Sequence, residues 1–205
     1  MYIWNLKKYV FIRIGRLVFL TVMWYTGQLI DVVFSRVDGE NKYDKGRVKM
    51  IIRKAEEKDI PRILELLKQV LQIHADIRPD IFIPGTTKYT IDELAELLKN
   101  KEKPIYVAVD ENDVCRGYAF CQLQEQPFSN NMVQFKSLFI DDLCVDQEAR
   151  GQHIGESLFE YVKSEAKQLG CYEVTLNVWA GNTPAEKFYE KMGMRTKERQ
   201  MEYIL

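Results

Sequence analysis

The sequence predicts an α+β domain built on a central mixed sheet, and three observations carry that prediction. Short apolar strands and amphipathic helices follow one another as β-α-α-β-β-β-α-β-α-β from residue 50 onward. Glycine, proline and capping residues sit at the ends of these segments rather than inside them. One strand leads straight into a glycine-containing turn and a long helix. That arrangement binds phosphates, because the turn's N–H groups converge where the helix dipole is positive.

Taken in order, Met50-Ile51-Ile52-Arg53-Lys54-Ala55 reads as the first strand. Asp59 caps a helix with Pro61 in its first turn, and Ile60, Ile63, Leu64, Leu67, Val70 and Leu71 recur at helical spacing as far as Ile73. Residues 77–88 contain Pro79, Pro84 and Gly85 and form a loop. Thr90-Ile91-Asp92-Glu93 is a capping box that opens a second helix ending near Leu98. Residues 105–109 are a short apolar strand, Asp110-Glu111-Asn112-Asp113 its turn, and 114–124 the return strand. After an interruption at 127–131, residues 133–145 form a third strand with Asp141 and Asp142 at its centre. A helix over 155–169 stops at Gly170, residues 172–179 are a further strand, and Asn182 caps a helix that begins Thr183-Pro184 and ends at Gly193. Residues 194–205 alternate loosely and read as a final strand pair.

Composition bounds the function. With 205 residues, 46% hydrophobic and 29% charged, the chain holds one domain plus an extension. A net charge of -1 gives no reason to expect a nucleic-acid partner. Cys115, Cys121, Cys144 and Cys171 form no C-x-x-C pair, and His74 and His153 have no ligand-like spacing to them. Neither a metal site nor a disulfide framework is expected; the cysteines read as reduced, mostly buried thiols of a cytoplasmic protein.

Residues 1–49 are a basic, apolar extension carrying a local charge of +5, against -6 for residues 50–205. Residues 17–30 are free of charge, but this run is shorter than the roughly 20 residues a spanning helix needs, contains Thr21, Thr26, Gly27 and Gln28, and meets Asp31. No small-residue cleavage site follows it. A surface-lying or core-packing helix, a membrane association and an over-extended reading frame stay open. In the last case a bacterial message would start at Met50, with Lys45-Gly46-Arg47 encoded by a ribosome-binding purine run.

The phosphate-binding candidate is Arg150-Gly151-Gln152-His153-Ile154-Gly155. Glycines let backbone amides approach a diphosphate, although by itself the pattern better suits an ordinary strand-helix connection. It is neither a Walker motif nor a dinucleotide fingerprint. Together with the preceding Asp142-Leu143-Cys144-Val145-Asp146-Gln147-Glu148-Ala149 it resembles the acetyl-CoA signature of the GNAT acetyltransferases, Arg/Gln-x-x-Gly-x-Gly/Ala after a strand. Downstream, Asn182-Thr183-Pro184-Ala185-Glu186-Lys187-Phe188-Tyr189-Glu190-Lys191-Met192-Gly193-Met194 is similar to the family's second signature, Asn-x-x-Ala-x-x-Phe-Tyr-x-x-x-Gly-Phe/Met. The resemblance covers about residues 50–205. It implies the GNAT fold, a mostly antiparallel twisted sheet with helices on both faces. It also implies acetyl-CoA as co-substrate, without a metal. One departure is His153, which stands in the second glycine slot; as a first-turn helical position this should not demand glycine by its φ. The ring either edges a phosphate or points to solvent.

By the resemblance, backbone amides along Leu143, Cys144 and Val145 pair with the pantetheine arm, and one polarises the thioester carbonyl. Residues 150–155 and Asn182 complete the cofactor site, Asn182 being a helix cap on any reading. Tyr189 is the acid that protonates the departing sulfur; otherwise it is a helix-face tyrosine packed beside Phe188. Asp141 and Asp142 are the candidates for deprotonating the acceptor amine. Adjacent strand residues face opposite ways, so one of the two is expected in the acceptor cleft. The acidic pair is similar to that of polyamine acetyltransferases, which lifts that substrate class modestly. Asp76 and Asp80, in the loop after the first helix, either receive a cationic substrate or are simply solvated.

The expected function is therefore transfer of an acetyl group from acetyl-CoA to a primary amine of a small molecule or peptide. The alternative is a non-catalytic acyl-CoA-binding regulatory module. A free sheet edge makes a homodimer a candidate assembly.

Overall fold

The computed structural model describes residues 50–205 throughout and, before them, the backbone of four strands. These are β1 (Tyr2–Leu6), β2 (Tyr9–Ile14), β3 (Leu17–Val22) and β4 (Val32–Ser35), an antiparallel meander in that order. The first part of the apolar 17–30 run is thus strand, not helix. Val18, Phe19, Thr21 and Val22 are β-branched or aromatic and favour a pleated chain. Residues 23–30 lie outside the described residues, as do Lys45-Gly46-Arg47. The chain divides into two compact units, Met1–Arg47 and Val48–Leu205.

The second unit is a five-stranded sheet in the order β5 (Ile51–Lys54), β6 (Ile105–Val109), β7 (Cys115–Glu125), β8 (Lys136–Val145), β9 (Glu173–Leu176). The first four strands are antiparallel and β9 runs parallel to β8. A parallel neighbour needs a crossover, which is supplied by α3 (Ile154–Gln168). The other helices are α1 (Ile60–Ile77), α2 (Ile91–Leu98) and α4 (Thr183–Lys191).

Both faces of the sheet are covered, and alternation along β6 allots its residues between them. Ile105, Val107 and Val109 pack with Ile63, Leu66, Leu67 and Leu94 of α1 and α2. Tyr106 and Ala108 point the other way, to Leu158, Phe159 and Val162 of α3. Burial on both sides is why the central strands read as continuous apolar runs. The predicted α+β class and the layering of helices on both faces are those observed.

Local signals fixed several boundaries. The Thr90 Oγ1 accepts from the Glu93 amide at 3.2 Å while a Glu93 carboxylate oxygen accepts from the Thr90 amide at 2.7 Å, a complete capping box. Asn182 Oδ1 accepts from the Ala185 amide at 3.3 Å, and Gly170 ends α3 at φ 73°. Asp59 behaves differently. It precedes α1 but its carboxylate takes Arg53 at 2.7 and 3.0 Å and the Glu56 amide at 2.8 Å, capping no α1 amide. Residues 194–205 form no strand, contrary to the expected pair. Met201, Tyr203, Ile204 and Leu205 are exposed, and Glu202 instead pairs with Arg78 at 2.7 Å.

Gly117 sets how closely α3 approaches β7. A Cβ there would lie 2.8 Å from the Cys144 carbonyl oxygen and 3.2 Å from Leu158 Cδ1. Gly117→Ala should therefore lower stability by about 1–3 kcal/mol, the usual cost of overpacking, read as a lower urea midpoint with the far-ultraviolet spectrum retained.

Candidate active site

The site forms where β8 loses register. Phe120 on β7 pairs with Asp142, but the next residue, Cys121, pairs with Ile140, so Asp141 is an extra residue on β8. Such a bulge breaks the alternation of side chains. Before it, Leu138 and Ile140 face α3; after it, Cys144 faces α1 while Leu143 and Val145 face α3. The consequence falls on the carboxylates. Asp141 Oδ2 accepts from Lys88 Nζ at 2.6 Å, and Asp142 Oδ2 accepts from the Tyr118 hydroxyl at 3.1 Å. Both reach partners on the α1–α2 side, so the expectation of a single carboxylate in the cleft is overturned by the bulge.

The bulge also ends pairing on the other edge. β9 follows β8 only from Ser137 to Ile140, the last pair being Ile140 and Leu176. Beyond it β8 has no strand partner on that side among the described residues. The Asp146 amide donates to the Arg116 carbonyl at 2.9 Å. By alternation Cys144 also directs its backbone to β7, whereas Leu143 and Val145 direct theirs to the unpaired side. Of the three residues expected to meet the pantetheine arm, two thus turn their backbone groups away from β7, and the Leu143 amide interacts with the Asp142 carboxylate. The Cys144 thiol lies 3.6 Å from the Leu66 carbonyl and, like Cys115 and Cys121, is pushed up to about 12 by burial.

The 150–155 turn follows the end of β8. Gly151 has φ 79° and His153 φ 61°, both left-handed. The position of His153 does call for glycine on backbone grounds, contrary to expectation; histidine is among the side chains that tolerate it. Its ring is exposed, with Nδ1 2.8 Å from Glu156, which also takes Lys191 at 2.5 Å. Gly155 is needed for a different reason: a Cβ would lie 3.3 Å from the Phe188 ring of α4. The amides of Gly151, Gln152, His153, Ile154, Gly155 and Glu156 make no close hydrogen bond among the described residues, and they lie in the turn and first turn of α3, at its positive end. Arg150 is exposed beside them. The chain thus offers what a diphosphate requires.

Tyr189 lies on α4, packed between Phe188 and Phe159 with ring centroids 5.0 and 6.1 Å away. Its hydroxyl makes no hydrogen bond to a described residue. Burial, with a smaller push from Asp142, holds it well above the ordinary tyrosine value, so it keeps its proton. Asp142 is pushed up to about 6, chiefly by burial; Lys88, the Tyr118 hydroxyl and the Leu143 amide oppose the rise and Asp141 adds to it. The tyrosine thus keeps its proton, and Asp142 is near enough to add to that hold.

Sequence reasoning missed Lys88 and Tyr118, which hold the two carboxylates, and Lys103, which lines a cleft together with Lys88 and Asp141. No local pattern marks them. Asp80 is held by Arg78 at 2.9 and 2.7 Å, and Asp76, which lies in the last turn of α1 and not in the loop as expected, accepts from Gln72 at 2.7 Å. Among the described residues no group of three or more His, Cys, Asp or Glu is placed to hold a metal, and no helix is long and apolar enough to cross a membrane.

Comparison with known proteins decides the family. The model of the acetyltransferase (GNAT) family matches residues 67–194. The chain belongs to the GNAT family. The BH1408 protein of Bacillus halodurans, solved as a point mutant, superposes with a TM-score of 0.72 at 32% identity, covering 76% of this chain and 99% of that one. Glucosamine 6-phosphate N-acetyltransferase of Arabidopsis thaliana is 38% identical over 66 residues, 32% of this chain and 42% of the enzyme. Peptidyl-lysine N-acetyltransferase YjaB of Salmonella typhimurium is 32% identical over 109 residues, 52% of this chain and 62% of that protein. The match thus spans about two fifths of the plant enzyme's length.

Membership in the GNAT family makes the 150–155 turn testable by CoA binding. Gly151→Ala forces a side chain into left-handed backbone, costing about 1–2 kcal/mol, and should weaken CoA in equilibrium titration. His153→Gly relieves the same strain and should leave CoA affinity within about twofold, with stability equal or higher.

Proposed function

We propose that the chain is an N-acetyltransferase that moves the acetyl group of acetyl-CoA directly to a primary amine of a small molecule or peptide. The observation that carries this reading is that β8 runs on past its last pair with β9, bearing Asp142 on that stretch, and that Asp142 adds to the raised proton affinity of Tyr189. The N-terminal boundary follows from it: residues 50–205 are the acetyltransferase domain and 1–49 an extension.

The residues fit acetyl-CoA as co-substrate. The amides from 151–156 suit its diphosphate, and the outward-facing backbone of Leu143 and Val145 suits the amides of its pantetheine arm. An N–H on this edge polarises the thioester carbonyl. Asp142 removes a proton from the acceptor ammonium, directly or through a water, and the free amine forms the new C–N bond as the C–S bond breaks. Tyr189 gives its proton to the departing sulfur and recovers one from the nitrogen of the new amide, so protons balance over a turnover. Asn182 holds the start of α4 and thereby the position of Tyr189. The acceptors named for the relatives, glucosamine 6-phosphate and peptidyl-lysine, are both primary amines, which supports the reaction type.

CoA release from acetyl-CoA across a panel of amines tests this reading. Tyr189→Phe should lower kcat by about 10²–10⁴-fold, the range of general acid-base contributions. Binding of acetyl-CoA without turnover of any amine, unchanged in Tyr189→Phe, would instead favour a regulatory acyl-CoA-binding module.

The pH profile follows from Asp142. Only its ionised form takes a proton, and that fraction grows as pH rises through about 6. The rate should climb to a plateau above this value, and Asp142→Asn should lower the plateau and abolish the limb. The stability effect has the opposite sign. The folded-state value lies above the unfolded one, so the contribution is full near pH 4 and lost as pH rises through about 6.

A further inference from the structure

The cleft beneath Asp141 carries charges that the transfer chemistry does not use. It has a volume of about 160 Å³ and is lined by Lys88, Tyr89, Leu97, Lys103, Phe120 and Asp141, among others. Tyr89 and Phe120 stack, with centroids 5.8 Å apart and planes 7° from parallel, giving a flat apolar wall. Lys88 bonds Asp141 and leans over the Tyr89 ring at 5.5 Å. Lys103 makes no ion pair among the described residues.

These charges select against a polycation. Asp141 is already neutralised by Lys88, Asp80 is paired with Arg78, and Lys103 repels a second ammonium. Asp142 alone is left to meet the reacting nitrogen. An anion, by contrast, finds one unpaired lysine and a second whose carboxylate partner is half exposed, so that exchange of partners keeps every charge compensated.

We propose that the acceptor is a small amine that also carries an anionic group, a carboxylate or a phosphate, seated by Lys103 and Lys88 while its amine meets Asp142. This rests on the acetyltransferase reading and specifies its substrate class. The modest preference for polyamines suggested by the acidic pair is thereby replaced.

The test compares matched acceptors with the full chain at low salt: cadaverine against lysine for the carboxylate, glucosamine against glucosamine 6-phosphate for the phosphate. In at least one pair, kcat/KM should favour the anionic member by about tenfold or more, the scale of one charge-assisted contact, and the pair that does so names the anion. Lys103→Gln should collapse that ratio towards unity and Lys103→Glu should invert it. Lys103 is exposed at the cleft rim, and coincident thermal melts verify that these variants fold. If the member of each pair that lacks the anionic group is used as well or better, or if the ratio survives Lys103→Glu, the inference is overturned while the acetyltransferase reading stands. If no amine is turned over at all, both fall.

Discussion

The extra residue at Asp141 is the constraint on which the rest of the domain depends. Had β7 and β8 stayed in register, alternation would have sent one of the two carboxylates towards α3, among Leu138, Ile140, Leu158 and Val162. An unpaired charge in such a place is expensive enough to be neutralised or excluded. The bulge turns both acids to the side where Lys88 and Tyr118 can satisfy them. The pairing of β8 with β9 stops at Ile140, the residue before the bulge, so the carboxylates and the unpaired backbone edge lie on the same stretch of β8. Catalytic geometry and strand geometry are here a single feature.

A second constraint holds the far end of that edge. Asp146, fully buried, closes β8 by pairing with Arg62 of α1 and by accepting from Gln69 at 3.3 Å, with Arg116 at 3.5 Å. Breaking such a buried pair on one side leaves an uncompensated charge. The 150–155 turn therefore starts from a point tied to both β7 and α1. Its residues then serve distinct ends: Gly151 supplies left-handed backbone, Gly155 lets α4 approach, and His153 accepts strain at a position where glycine would carry none.

Much of this was legible because it is local. The Thr90–Glu93 box, the Asn182 cap and the Gly170 stop each need only a few adjacent residues, and both family signatures are contiguous. What escaped depends on residues distant in sequence. The facing of Asp141 and Asp142 is set by register against β7, which periodicity along β8 cannot reveal. Lys88 lies in a loop 53 positions from its partner. Asp59 resembled a helix cap by type and position, yet Arg53, brought alongside by the pairing of β5, takes its carboxylate. The alternation of 194–205 suggested strands, but alternation specifies a face only when a neighbouring strand or layer is there to bury it.

Acid and base are assigned by environment rather than by residue type. Burial raises both Tyr189 and Asp142, but from starting points six units apart, and the two are left with opposite tasks. The tyrosine becomes harder to ionise and so remains a donor. The carboxylate moves close to neutrality, where it can accept a proton without being permanently protonated. Lys88 is decisive for that balance, because it is the largest influence opposing burial at Asp142 and it cancels Asp141, the charge that would push Asp142 higher. Any acceptor that draws Lys88 towards its own anion weakens both effects at once. Asp142 then holds a proton more firmly when the substrate is seated than when the cleft is empty. An anionic acceptor would in this way strengthen the base that its own ammonium must reach.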